Sequence, residues 1–177
     1  MKVRYDKYFK YVCRHKWFVM KECFKVGLYW RGLIHDLDKF YPSAFISYSK
    51  RFYGNGNDIS TGRDSTGYYN PMENSELDFQ LSLKDHVTKN KHHWQYWVLP
   101  TSANNEKMVL FNMDLKSIFE MICDWKGAAR AQGNMNYDPK EWFKIHDKNM
   151  ILSEESKNSI MVILNLLSIG TTIKWKY

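Results

Sequence analysis

The chain has 177 residues, with 26 Lys plus Arg against 19 Asp plus Glu, 44% apolar and 25% charged side chains, a globular composition that excludes disorder as the dominant state. A chain this long buries roughly 70% of its unfolded surface, so one domain over residues 1–177 is expected without disulfide support. The formal charge of +7 excludes a strongly acidic surface, and it is unevenly placed. Residues 1–31 hold Lys2, Arg4, Lys7, Lys10, Arg14, Lys16, Lys21, Lys25 and Arg31 against only Asp6 and Glu22, while the rest of the chain is balanced. Either an anionic ligand or a solvated helix face accounts for that excess.

From Tyr5 to Val26, Tyr8, Val12, Val19 and Cys23 recur at helical spacing and predict a helix with one buried stripe; His15 lies beside that stripe and Gly27 ends it. A short helix is expected from Tyr29 to Phe40 and another from Pro42 to Arg51. Residues 53–71, rich in Gly, Ser and Asn, predict a long loop of the kind that forms lids and binding loops. Asn74 or Ser75 is expected to cap a helix continuing to Trp97, before Pro100, and 104–113 stays open. Asp114 caps a helix from Leu115 to Ala131, a short helix covers Lys140 to His146, and Ser153 caps a last one through Leu167. The fold class expected is all-α, a helical bundle.

The apolar run Ile160 to Ile173, interrupted by Asn165 and Ser168, falls short of the ~20 residues that cross a bilayer. The charged start MKVRYDKYFKYV does not read as a secretion signal. Cys13, Cys23 and Cys123 form neither a disulfide framework nor a cysteine zinc site, which suits a reducing cytosol.

His15, His35, His86, His92 and His93 all fall in expected helices, so the histidines are the informative residues. Two His-Asp pairs occur, His35-Asp36 and His146-Asp147. A metal needs three or four N and O ligands from several elements. His35-Asp36 has His15 before it and Asp124 after it, whereas His146-Asp147 has no downstream aspartate. Asp124, among Ile118, Met121, Ile122 and Trp125, sits at the margin of a buried stripe where an unpaired charge costs several kcal/mol, so it requires a cation. A buried salt bridge is the structural alternative to a metal. By helical spacing His86, Asn90 and His93 share a face, with the two imidazoles ~10 Å apart and His92 turned away. Arg63 and Arg130 are candidate phosphate contacts.

His15, His35-Asp36 and Asp124, in that order, resemble the H...HD...D signature of the HD superfamily of metal-dependent phosphohydrolases, and HDLDK is similar to its HD-x-x-K variant. The NKHHW and EMICDW strings are similar to those of short HD-like proteins of phages and bacteria. The resemblance implies an HD-type bundle in which His15, His35, Asp36 and Asp124 ligate one divalent metal among Mn, Fe, Co, Ni, Zn and Mg. It implies hydrolysis of a nucleotide or other small phosphorylated molecule through a metal-bound hydroxide, in the cytoplasm of a bacterium or phage-infected host. Lys39 is then placed to neutralise a phosphate oxygen, and His86 and His93 to act in catalysis. His86, His92 and His93 are also candidates for a second metal or a phosphate. Two alternatives are a two-metal phosphodiesterase for cyclic or linear nucleotides and a non-enzymatic nucleotide or nucleic-acid binding module. The partner expected is a small phosphorylated substrate, with nucleic acid ranked below it and no membrane partner.

Overall fold

The computed structural model describes residues 2–69, 75–101, 107–171 and 173–175. The described residues are mostly helical. α1 (Tyr5–Lys25) buries Tyr8, Val12, His15, Val19, Glu22 and Cys23, the stripe that the i, i+3, i+4 spacing dictates. It is flanked by α2 (Tyr29–Ile34) and α3 (Pro42–Tyr53), and α4 (Leu77–Lys89) packs on α3. Strands β1 (Val98–Pro100) and β2 (Met108–Leu110) pair antiparallel, Val98 opposite Leu110 and Pro100 opposite Met108. The chain then forms α5 (Leu115–Ala131), α6 (Pro139–His146) and α7 (Glu154–Ser168).

Local chemistry explains most of the boundaries. The Asp114 carboxylate accepts from the Ser117 amide at 2.8 Å to start α5, and the Ser153 hydroxyl accepts from the Ser156 amide at 3.1 Å to start α7. Gly27 takes φ +80° just past α1, a left-handed conformation that costs glycine nothing. α5 lies along α1, and a Cβ on Gly127 would stand 2.8 Å from the Val19 amide nitrogen. Glycine is what lets the two backbones touch there.

The core falls into two clusters. Val19, Cys23, Ile118, Ile122, Phe143, Ile160 and Leu164 join α1 to α5, α6 and α7. Tyr8, Val12, Tyr48, Phe52 and Phe79 join the start of α1 to α3 and α4. Each fully buried aliphatic or aromatic side chain contributes about 1.5–3 kcal/mol. His15, one turn from both Val12 and Val19, therefore lies at the seam of the two clusters.

Two expectations are corrected. The helix expected from Tyr29 to Phe40 breaks at His35-Asp36 into α2 and a 3-10 turn, Leu37–Phe40. The helix expected to reach Trp97 ends at Lys89, so His92 and His93 lie in a turn before a second 3-10 segment, Trp94–Trp97. Of the short strand pair, β1 follows the expected helix end at Trp97 and β2 lies within the open stretch 104–113, and the all-α expectation stands. Asn74, a suggested cap, and residues 70–71 of the expected loop lie outside the described residues.

Candidate metal centre

His15 reaches the seam from the middle of α1. Beside it, Lys16 Nζ donates to the carbonyls of Leu33 (2.7 Å) and His35 (2.9 Å), satisfying acceptors that the end of α2 leaves open. Released from the helix, His35 is extended (φ −49°, ψ 128°) and Asp36 is left-handed (φ 53°, ψ 26°). Aspartate tolerates that conformation better than most residues, and it persists where surrounding contacts over-determine it. Successive helical positions would point 100° apart; the break turns both side chains inward, each residue 2% exposed.

Four side chains meet there. His15 Nε2 lies 3.2 Å from both Asp36 Oδ2 and Asp124 Oδ1, and His35 Nε2 lies 3.4 Å from both Asp36 Oδ1 and Asp124 Oδ1. Donors about 2.1 Å from a common ion stand roughly 3.0 Å apart in octahedral and 3.4 Å apart in tetrahedral geometry, so these spacings suit one divalent ion. His35 Nε2, Asp36 Oδ1 and Asp124 Oδ1 are buried and find no hydrogen-bond partner, as atoms reserved for a ligand do.

A second set shares Asp36. α4 stops at Asn90, whose side-chain amide donates to the His86 carbonyl at 2.8 Å and to Asp38 Oδ2 at 3.1 Å. The turn that follows folds His92 and His93 back on His86. His86 Nε2 and His92 Nε2 each stand 3.5 Å from Asp36 Oδ1, and His93 Nε2 stands 2.8 Å from His86 Nε2. The ~10 Å separation and the outward His92, both drawn from uninterrupted helical spacing, are thereby corrected. His92 Nε2 is likewise buried without a hydrogen-bond partner.

Two carboxylates behind the histidines went unrecognised in the sequence. Glu120 Oε1 faces His35 Nδ1 at 3.1 Å and His92 Nδ1 at 3.4 Å, while its Oε2 accepts from Arg31 Nη1 at 3.1 Å. Asp38 Oδ2 faces His86 Nδ1 at 2.7 Å. A carboxylate on Nδ1 fixes the tautomer that leaves Nε2 free to bind a metal. The i−4 spacing of Glu120 from Asp124 was the available signal, though a glutamate on an amphipathic helix is common.

The charges follow from this packing. Burial would raise the Asp36 carboxyl, but His35, Lys39 and His86 hold it well below the usual carboxylate range. Asp124 is held low in the same way, burial being outweighed by His15 and His35. Burial also opposes the charge on Glu120, yet His35 and His92 bring it down to about 2. His35 is burdened by burial but carried well above the usual imidazole range by Asp36, Asp124 and Glu120. Burial and the neighbouring His92 and His86 push His93 well down, and burial followed by Lys39 lowers His86.

Lys39 Nζ contacts Asp36 Oδ2 at 2.6 Å and lines a cavity of about 240 Å³ with Tyr8, Tyr48, Arg63 and the cluster itself. A second cavity, of about 270 Å³, lies against His92, His93, Trp94, Trp125 and Trp142. Tyr69, Leu83, His93 and Asp124 line both. The segment from Gly54 to Tyr69 walls them. Arg63 is in that wall, donating to the carbonyls of Ile59 and Gly67. Thr66 Oγ1 meets His146 Nε2 at 3.0 Å and the Tyr68 hydroxyl donates to the Asn149 carbonyl at 3.3 Å. His146 thus anchors the wall, and among the described residues it joins no group of metal-capable side chains. Arg130 is not at the cluster: it pairs with Glu22, which Lys25 and Lys126 also contact.

The residues define a helical protein with a buried His/Asp/Glu cluster able to hold metal. Over residues 4–166 the chain matches a family described as of unknown function, DUF5662, and it belongs to that family. No curated protein and no solved structure matches it.

Proposed function

We propose that the protein is a metal-dependent phosphohydrolase acting on a nucleotide or another small phosphorylated molecule, with His15, His35, Asp36 and Asp124 as the ligands of one divalent ion. The observation that carries this reading is the set of buried Nε2 and carboxylate atoms left without hydrogen bonds around Asp36, at spacings that suit a metal. His86, His92 and His93 fit a second ion that shares Asp36. A divalent ion in such a site lowers the pKa of water toward ~7 and offsets charge on a phosphoryl group. The mixed imidazole and carboxylate donors suit Mn, Fe, Co, Ni or Zn, and Mg less well. Lys39 is placed to bind a phosphate oxygen at the cavity wall. His93, kept neutral by burial and its imidazole neighbours, would be ready to ligate that second ion without first losing a proton. The similarity of the His15, His35-Asp36, Asp124 order to the HD signature supports the same chemistry.

A second reading, hydrolysis of a phosphodiester, is favoured by the two cavities that flank the cluster, since a diester carries a group on each side of phosphorus. The test is elemental analysis of the purified protein, followed by turnover of phosphomonoesters and diesters with added Mn, Co, Ni or Mg. Stoichiometric metal and turnover abolished by Asp124→Asn are expected; a protein that takes up no metal under any of these conditions refutes the proposal.

A further inference from the structure

Many of the large apolar side chains that stand exposed are concentrated between Tyr5 and Tyr41. On α1, Phe9, Cys13, Trp17, Met20 and Phe24 fall within an arc of about 80° at 100° per residue. Trp17 is 53% exposed and Phe9 52%. The Phe9 ring meets Phe40 edge-on at 6.5 Å, and the Phe24 ring meets Tyr29 at 5.2 Å. Lys16, bonded to the end of α2, closes the middle of this seam. The α1 stripe is therefore continuous with α2 and the following turn, where Trp30, Leu33, Ile34, Leu37 and Tyr41 are exposed.

On the other side of the stripe Lys7, Lys10, Arg14, Lys21 and Lys25 occupy the next ~60° of α1, all exposed. Lys21 Nζ lies 5.2 Å from the Trp17 ring centroid, at the border of the two bands. Residues 1–31, which include this band, hold nine basic and two acidic side chains, an excess equal to the net charge of the whole chain. The surface is thus an apolar, Trp-rich band with a basic band along one edge.

We infer that the α1–α2 face docks on an anionic lipid surface, lying in the interface without crossing it. The charge selects the occupant. A second copy would bring an equal excess of positive charge to the contact, and nucleic acid has no apolar counterpart for Trp30, Leu33 and Leu37. An anionic membrane supplies phosphates to the basic band and an interfacial layer in which Trp and Tyr are at home. No helix among the described residues is long and apolar enough to cross a membrane, and peripheral docking needs none. The sequence expectation of no membrane partner rested on the absence of a spanning segment alone.

Sedimentation of the whole protein with phosphatidylcholine vesicles, with and without phosphatidylglycerol, tests the inference. Binding is expected only with phosphatidylglycerol, and salt should reverse it. Lys10→Gln and Lys21→Gln should each weaken partitioning about fivefold. Trp30→Ser with Leu33→Ser should abolish it without lowering the melting temperature, because both side chains are already exposed. Failure to bind, or equal binding to both kinds of vesicle, overturns the inference. So does a stable dimer by light scattering that the Trp30→Ser, Leu33→Ser pair dissolves, since the face would then serve a second copy.

Discussion

Glu120→Gln probes the centre without touching a residue that faces the proposed ions. In the native protein one carboxylate holds His35, His92 and Arg31 at once. Glutamine keeps the shape and one acceptor oxygen, but its amide would turn a donor toward either an imidazole N–H or the Arg31 guanidinium. The fall of the Glu120 carboxyl from an ordinary 4.5 to about 2 corresponds to about 3 kcal/mol of stability in the metal-free protein at neutral pH. A depressed carboxylate contributes stability that is present above its unfolded value and is lost as pH falls toward the folded one. The native protein should therefore weaken between pH 4.5 and about 2, and the variant should lack that part of the acid transition. If His35 and His92 serve the two proposed ions, metal affinity should drop about 10–100-fold for both, near 1.4–2.7 kcal/mol each. Calorimetric titration with Mn and thermal melts across pH measure the two effects. Unchanged affinity for both ions, with an unchanged acid melt, would show that Glu120 does not orient the imidazoles.

Asp36→Asn should reduce bound metal more than Asp124→Asn, because Asp36, unlike Asp124, belongs to both four-residue groups, whereas His146→Ala and Asp147→Ala should leave metal content unchanged; elemental analysis of the four variants decides. Metal uptake at pH 7 should release protons, since Asp36, Asp124 and Glu120 carry His35 well above the usual imidazole range and a ligating imidazole must give up that proton. Affinity should accordingly fall as pH is lowered, and calorimetric heats that do not vary with buffer ionisation would contradict this. Gly127→Ala should cost about 1–3 kcal/mol, because the new methyl meets the Val19 backbone, which has no rotamer by which to retreat; a melt unchanged from the native protein would count against the α1–α5 contact. Thr66→Val should speed amide exchange in 54–69 by removing the bond to His146, without altering exchange in α5.

Periodicity and capping chemistry are local, and where they decide an outcome the sequence was enough. The stripe of α1, the Asp114 and Ser153 caps and the glycine after α1 lie where their side chains require them. The preference for His35-Asp36 over His146-Asp147 was also legible, because only the first pair has His15 and Asp124 available on other elements. What the chain order could not reveal is where a helix is interrupted by contacts from elsewhere. Lys16, on α1, satisfies the carbonyls at the end of α2, and only then can Asp36 take a left-handed turn and face two sets of imidazoles. Asn90 and Asp38 end α4 in the same way, bringing His92 and His93 to His86 when uninterrupted helical spacing holds them apart. Glu120 gains its partners at sequence separations of 85 and 28 residues, through the packing of α5 on α1 and of the 90–93 turn on both. Hydrogen bonds between distant segments are worth forming only once burial has removed the competing water, so the tertiary structure decided which histidines face one another.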